Sequence, residues 1–245
     1  MLCFGAVGGG GHSGHGMQAG VLYVCSNRML FVLERQVSIF CLMIDNNLKM
    51  LCWNVRGLNS PARRETVSLL LHEIGVNIVC LQETKLQLVD DALALETLGQ
   101  RLNSSFYLPA DGTRGGILIG WDKDLFEISN PSFGQHSISV NVTSNLASFL
   151  FRLTVVYGPS EDPDKEAFLN ELLTLKPAPD TPWLCVGDFN LIHSAADKNN
   201  LSLNRRLMGR FRNILDACEL LELSLHNRKY TWSNGQLRPT LVRLD

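Results

Sequence analysis

Four short apolar runs in this chain each end at polar residues. The runs cover residues 50–54, 78–83, 153–159 and 183–190. Continuous apolar runs without alternation are typical of strands buried on both faces, where a polar side chain is tolerated only at an exposed end. We therefore expect the polar ends to meet at one mouth of a sheet, where α/β proteins usually bind their ligands. These ends are Asn54, Glu83, Tyr157, Asp188 and Asn190.

The rest of the pattern predicts a mixture of helices and further strands. Ser60 can cap a first helix, Pro61 suits its first turn, and Gly75 stops it. Helical spacing of apolar residues predicts two more helices, and runs rich in β-branched residues predict two more strands and an earlier start for the third apolar run. The helices cover 164–175 and 205–220, and the strands cover 116–121, 136–142 and 149–157. The alternation in 137–142 is typical of an antiparallel sheet.

The first 48 residues differ in character from the rest. They begin with a glycine run that contains two histidines and continue into an apolar stretch interrupted by Glu34 and Arg35. No Gly-Lys-Ser/Thr follows the glycines, so a phosphate loop is not predicted. The apolar stretches are far shorter than the roughly 20 residues of a membrane helix. We expect residues 1–48 to lie outside a domain that covers 49–245, and we expect no membrane span.

Composition and charge describe an ordinary globular protein. The chain has 245 residues, 45% of them apolar and 19% charged, and its net charge of −2 lacks the basic excess that often marks strong nucleic-acid binders. Three of its seven cysteines, Cys52, Cys80 and Cys185, fall within predicted strands, and no C-x-x-C spacing occurs. This usage favours reduced, buried thiols. We expect an intracellular protein without a disulfide-linked partner.

The polar strand ends form a chemically coherent set. Glu83 and Asp188 are far apart in sequence, yet each ends a predicted buried strand, so they can meet if those strands lie side by side. Mg²⁺ prefers oxygen ligands and usually takes one or two protein carboxylates. Asp188 could instead orient or deprotonate a water molecule. Asn54, Tyr157 and Asn190 offer donors to a phosphate. The set predicts a metal-phosphate site.

Five motifs occur in an order that resembles the endonuclease/exonuclease/phosphatase superfamily. They are Trp-Asn-Val-Arg-Gly-Leu-Asn from residue 53, Leu-Gln-Glu-Thr-Lys from 81, Val-Tyr-Gly-Pro from 156, Gly-Asp-Phe-Asn from 187 and Arg-Leu-Asp from 243. The nearest likeness is to the endonuclease domain of plant LINE-type, non-LTR retrotransposon polyproteins, a relative of apurinic/apyrimidinic endonucleases. The resemblance covers about 49–245. It implies an α+β fold, a four-layer α/β/β/α sandwich.

The resemblance also implies an activity, a cofactor and a partner. It implies hydrolysis of phosphodiester bonds that depends on Mg²⁺, with Mn²⁺ as an alternative, and nicking of DNA to prime reverse transcription. A retroelement endonuclease would act in the nucleus. In the family pattern Glu83 is the metal ligand, Asn54 contacts metal or phosphate, and Tyr157 contacts phosphate. Asp188 activates water, and Asn190 positions the water and the phosphate. Trp232 and Asn234 lie beside the DNA-binding face, and Asp245 orients a histidine.

The sequence departs from the family at its C-terminal end. The closing Ser-Asp-His motif does not follow Asp245, so we expect the catalytic histidine and the last core strands to be missing and the activity to be impaired or lost. His193 is the histidine nearest in sequence to the predicted site, and we expect it to have a surface or packing role and not to replace the missing histidine. Two alternatives stay open. One is a non-catalytic nucleic-acid-binding remnant that uses the arginines of 205–212 together with Arg228, Lys229, Arg238 and Arg243, and the other is a phosphatase of small phosphoesters.

Overall fold

A computed structural model describes residues 48–146, 149–223 and 229–244, and the backbone of two further strands at 2–6 and 39–45. The helices are α1 (Pro61–Ile74), α2 (Asp91–Leu98), α3 (Asp162–Thr174), α4 (Arg205–Ala217) and a short 3-10 helix (Ala195–Asp197). The strands are β1 (Leu2–Ala6), β2 (Ile39–Asp45), β3 (Leu48–Asn54), β4 (Ile78–Gln82), β5 (Ser104–Leu108), β6 (Ile117–Trp121), β7 (Phe126–Phe133), β8 (Ser137–Ser144), β9 (Leu150–Tyr157), β10 (Trp183–Asp188), β11 (Leu221–Glu222), β12 (Trp232–Ser233) and β13 (Leu241–Val242).

Two sheets stack face to face between two helical layers. The first sheet has the order β2-β3-β4-β6-β5, the second has the order β11-β1-β10-β9-β8-β7, and β12 and β13 form a separate ribbon. One apolar cluster fills the space between the sheets. A second cluster joins the second sheet to α3 and α4, and a third joins the first sheet to α1 and α2. Three cores between four layers confirm the predicted sandwich.

The first helix forms as the sequence predicts. It follows Ser60, begins at Pro61, and ends at Gly75, whose φ of 67° lets its N–H bond back to the carbonyl of Leu71. The fourth helix ends earlier than expected, at Ala217, because Glu219 adopts a left-handed φ of 58°. The elements α2, β5 and β7, the 3-10 helix and the two-residue strands β11, β12 and β13 were not predicted.

Two strands from the N-terminal segment extend the sheets. Strand β1 pairs antiparallel with β10, and β2 pairs antiparallel with β3. The expectation that residues 1–48 lie outside the domain does not hold for these two strands. The physical reason is that β3 and β10 would otherwise be edge strands, whose unpaired backbone N–H and C=O groups accept a further strand. The other parts of this segment lie outside the described residues.

The parallel strand pairs bring their polar ends to one rim of the sandwich. Strands β3 and β4 run parallel, with Asn54 opposite Gln82, and β9 and β10 run parallel, with Tyr157 opposite Asp188. Each pair therefore delivers its final residues to the same end of its sheet. Among the described residues, the side chains of Cys52, Cys80, Cys185 and Cys218 are buried. Within the described part of the chain, no helix has the length and apolar character needed to cross a bilayer.

Candidate active site

An open groove of about 540 Å³ lies at this rim and collects the predicted strand-end residues. Its floor contains five side chains from both sheets: Asn54, Glu83, Tyr157, Asp188 and Asn190. The two strands that carry Asn54 and Asp188 belong to different sheets, so the groove spans the seam of the sandwich. The structure thus brings together all five residues that the apolar runs singled out.

Asp188 is the most enclosed charged group in the groove, with only 7% of its surface exposed. Its Oδ2 accepts a hydrogen bond of 2.9 Å from Asn54 Nδ2, and its Oδ1 accepts one of 3.0 Å from the backbone N–H of Asn190. Burial raises the pKa of the Asp188 carboxyl above its usual value, although the two hydrogen bonds favour the charged form. A carboxylate held in this way is oriented and poised to accept a proton.

Asn54 connects the two sheets through its side-chain amide. While its Nδ2 donates to Asp188, its Oδ1 accepts from the backbone N–H of Arg56 at 3.1 Å. Both ends of the amide are therefore oriented, and the carbonyl oxygen keeps one lone pair for a ligand. Because a side-chain amide does not change its protonation state with pH, the hydrogen bonds of Asn54 are kept across the pH range.

Glu83 and Tyr157 form a second pair on the floor of the groove. Tyr157 and Glu83 both line the groove, and Glu83 Oε1 lies 3.1 Å from Lys85 Nζ. Burial, followed by the nearby carboxylates of Glu83 and Asp188, raises the pKa of Tyr157. Tyr157 therefore keeps its proton at neutral pH and remains a hydrogen-bond donor.

Left-handed backbone conformations concentrate around the groove. Within the described part of the chain, seven non-glycine residues have a positive φ, and four of them are Arg56 (52°), Glu83 (54°), Lys85 (57°) and Asn190 (49°). Such conformations persist only where surrounding contacts hold them, and they cluster at functional sites. The Asn190 side chain is held by a 2.8 Å hydrogen bond to the carbonyl of Gly158.

The upper wall of the groove combines apolar and cationic side chains. Trp232, Val242 and Leu244 line it from the β12–β13 ribbon and the segment that follows, and Lys165 and Lys198 line it from α3 and from the loop after the 3-10 helix. Arg56 lines the floor beside Glu83. The sequence reasoning missed these three cations, because a lone basic residue in a loop or helix carries no signal that relates it to a distant groove.

Two other predicted residues have different outcomes. Asn234 does not line the groove, because its Oδ1 accepts hydrogen bonds from the backbone N–H groups of Gln236 and Thr240 and thereby closes the β12–β13 hairpin. Asp245 lies outside the described residues.

His193 lies outside the groove lining and belongs to a charged cluster behind it. Its Nδ1 lies 2.9 Å from Asp197 Oδ2 and its Nε2 lies 3.3 Å from Glu222 Oε2, while Arg243 pairs with Glu222. Hydrogen bonds to the Asp197 and Glu222 carboxylates raise the pKa of His193 to about 9. An imidazolium ion paired with two carboxylates has no free nitrogen to accept a proton, so His193 is not placed to act as a general base in the groove.

The basic residues of α4 are largely engaged within the protein. Arg206 and Arg210 lie 2.6 and 3.1 Å from the carboxylate of Glu166, and Arg212 donates to the carbonyl of His193. The charges of Arg206 and Arg210 are thus partly neutralised by Glu166. This arrangement weakens the alternative of a nucleic-acid-binding remnant that relies on this helix.

The groove offers oxygen ligands suited to a hard cation. Within the described residues, no group of three or more His, Cys, Asp and Glu side chains is arranged to hold a metal ion. Mg²⁺ often takes only one or two protein carboxylates and completes its coordination with water and phosphate oxygens. The carboxylates of Glu83 and Asp188 and the Asn54 amide oxygen fit that requirement.

Comparison with known proteins gives this geometry a context. Residues 51–245 match the Endonuclease/Exonuclease/phosphatase family. The chain is also 28% identical over 172 residues to an exodeoxyribonuclease of Bacillus subtilis (strain 168), and the match covers 66% of each protein. The chain therefore spans slightly less than two thirds of the length of that relative.

Solved structures share the fold at low sequence identity. The endonuclease domain of TRAS1, a telomere-specific non-LTR retrotransposon, superposes with a TM-score of 0.54 and 12% identity over 81% of this chain and 83% of that one. The AP endonuclease LMAP of Leishmania major superposes with a TM-score of 0.51 and 17% identity over 70% of this chain and 66% of that one. An AP endonuclease of Archaeoglobus fulgidus superposes with a TM-score of 0.51 and 18% identity over 69% of this chain and 70% of that one. At these identities the likeness concerns the fold alone.

Proposed function

Because the chain belongs to the endonuclease/exonuclease/phosphatase family, we propose that it is a divalent-metal-dependent phosphodiesterase that acts on DNA. The observation that supports this most directly is the convergence of Asp188, Asn54, Asn190, Glu83 and Tyr157 in one groove. Nuclease relatives and nuclease folds recur among the comparisons, which favours nucleic acid over other phosphoesters.

Glu83 and the Asn54 amide oxygen are the proposed ligands of the cation, with Mg²⁺ preferred and Mn²⁺ as an alternative. When bound, the cation would neutralise charge that builds on the phosphoryl oxygens. Lys85 already pairs with Glu83, so the cation must compete with the ammonium group for this carboxylate.

Asp188 is the proposed acceptor of the proton from the attacking water. Its carboxylate is fixed by Asn54 and Asn190, so it can orient a water molecule without reorganising during the reaction. The protonated Tyr157 hydroxyl would donate to a phosphate oxygen, and the Asn190 amide would help to position the phosphate and the water.

The walls of the groove suit a polynucleotide. Trp232 offers an aromatic face to a sugar or base, and Arg56, Lys165 and Lys198 offer positive charge to neighbouring backbone phosphates. None of the described histidines lines the groove, so we expect slow turnover from the residues that do.

The most specific form of this proposal is the DNA-nicking endonuclease of a plant LINE-type retroelement, which would act in the nucleus. The order of the five sequence motifs supports it, and the fold shared with the TRAS1 domain agrees with it. Reverse transcription would require other parts of such an element.

The test uses the full chain, supercoiled plasmid and Mg²⁺, with Glu83→Ala, an EDTA control and the exposed-carboxylate variant Glu73→Gln. We expect slow conversion to nicked circles that EDTA and Glu83→Ala abolish and Glu73→Gln preserves. Mg²⁺ should also raise the melting temperature of the wild type and of Glu73→Gln, with little effect on Glu83→Ala. A folded wild-type protein that neither nicks DNA nor responds to Mg²⁺ would overturn the proposal.

A further inference from the structure

A second cavity, of about 360 Å³, lies at the end of the second sheet that faces away from the active-site groove. It sits between the outer faces of β7, β8 and β9 and the segment after α3, and its lining includes Arg152, Lys176, Ser132, Asn141 and Thr181. Arg152 and Tyr157 stand near opposite ends of β9, which separates the two sites by about 16 Å at 3.3 Å per residue.

The Arg152 guanidinium lines this cavity and is hydrogen-bonded to neutral groups, with no carboxylate partner among the described residues. Its Nη1 donates to the carbonyl of Asn130 and to Asn141 Oδ1, both at 3.0 Å. Within the described part of the chain it makes no ion pair, and no Asp or Glu lines the cavity. Burial lowers the pKa of Arg152, because the partly enclosed guanidinium lacks a compensating negative charge. Its Nε and Nη2 groups keep their donor capacity.

The neighbouring side chains supply mainly donors as well. Since Asn141 Oδ1 accepts from Arg152, its Nδ2 is left to donate. Ser132 and Thr181 add hydroxyl groups, and Lys176 adds an ammonium group that also pairs with Glu219 at 2.8 Å. A cavity with two cations, several neutral donors and no lining carboxylate favours an oxyanion, and the planar guanidinium fork matches the oxygens of a phosphoryl group.

We propose that this cavity, which we call the Arg152 site, binds a phosphoryl group with Arg152 as its principal ligand. The phosphoryl group can come from a free phosphate or nucleotide, or from the backbone of a nucleic acid. The site is separate from the active-site groove and does not depend on catalysis.

The experiment follows the Arg152 side-chain Nε–H resonance of the full chain by NMR during titration with sodium phosphate at fixed ionic strength, with sodium chloride as the comparator. We expect a saturable shift with phosphate and none with chloride. A parallel titration with a short DNA duplex identifies the source. A shift that saturates at lower duplex concentration indicates a nucleic-acid backbone, whereas a response to phosphate alone indicates a free anion.

Variants assign the binding to the named residues. Arg152→Gln should weaken phosphate binding about tenfold or more, and Arg152→Lys should restore part of it because the charge remains. Arg205→Gln, on the exposed start of α4, is the matched control and should bind like the wild type. If Arg152→Gln does not fold, Ser132→Ala and Thr181→Val decide the question with an expected loss of about threefold each. Absence of a saturable shift at Arg152, or unchanged binding in these variants, would overturn the proposal.

Discussion

Asp188 holds its place in the groove through hydrogen bonds that come from both sheets, and the proposed chemistry depends on its negative charge. In Asp188→Asn the amide cannot accept a proton, so nicking should fall about a hundredfold or more. In the variant an amide N–H would replace the oxygen that accepts from Asn54, so two N–H groups would face each other and one hydrogen bond would be lost. The free energy of unfolding should therefore fall by only about 1 kcal/mol. Single-turnover nicking and urea unfolding measure both quantities. A variant that nicks within threefold of the wild type would rule out the proton-accepting role.

Gly187 precedes Asp188 and allows β9 and β10 to approach closely. Its φ is 138°, and a Cβ there would lie 1.9 Å from the carbonyl oxygen of Val156. Gly187→Ala should therefore destabilise the protein by about 3 kcal/mol or more, through strain and through displacement of β10. Gly209→Ala is the matched control, because that glycine lies inside α4 with no atom within 4 Å of the added Cβ.

Thermal and urea unfolding of the two glycine variants should move in opposite directions. We expect Gly209→Ala to stabilise the protein by about 0.5–1 kcal/mol, because alanine is the better helix former. Equal small effects of both variants would show that the β9–β10 contact tolerates a side chain.

At the residue scale, the sequence singled out the groove residues that end apolar runs. Asn54, Glu83 and Asp188 each carry a polar side chain where a buried strand reaches solvent, and taken together these strand ends predicted that the side chains meet. Lys165 and Lys198 reach the groove through the packing of α3 and of a loop, which no local pattern encodes.

At the scale of elements, a helix or strand was predicted where its sequence has clear start and stop residues and was missed where it has none. Helix α1 has a proline at its start and a glycine at its end. Strand β7 was missed because Pro131 interrupts it and its register with β8 shifts between Ser129 and Ser132. Helix α2 has only eight residues, too few for a clear helical period, although Asp90 caps it.

The Asp90 cap gives a direct prediction for α2. Asp90 Oδ1 accepts a 2.8 Å hydrogen bond from the N–H of Leu93, one of the groups that a helix leaves unpaired at its start. Asp90→Ala should lower the free energy of unfolding by about 1 kcal/mol, and Asp90→Asn, which keeps the capping oxygen, should change it by much less. Urea unfolding compares the two variants. An equal loss in both would point to the charge of Asp90, and not to the cap.

At the scale of the whole molecule, strand pairing was beyond the reach of local patterns. Strand β1 pairs with β10 across most of the length of the chain, and the order of the two sheets depends on such distant contacts. The four-layer arrangement was expected only because the five motifs resemble a known superfamily. The apolar runs indicated buried strands without specifying their neighbours.

Ion pairs, both local and long-range, also join parts of the chain, and the cluster around His193 makes stability depend on pH. His193 pairs with Asp197 in the 3-10 helix and with Glu222 in β11, and Arg243 pairs with Glu222 from the segment after β13. The folded pKa of His193 is about 9, above the usual 6.5. The stabilisation is therefore complete below pH 6.5 and is lost as the pH rises through about 9.

Urea unfolding of the wild type and of His193→Gln from pH 6 to pH 10 isolates this contribution. After allowance for solvent screening we expect His193→Gln to cost about 1 kcal/mol more at pH 6 than at pH 10. His72→Gln, on the exposed face of α1, should show no such trend. A difference between wild type and His193→Gln that stays constant across this range would mean that the imidazole supports the cluster by packing, without its charge.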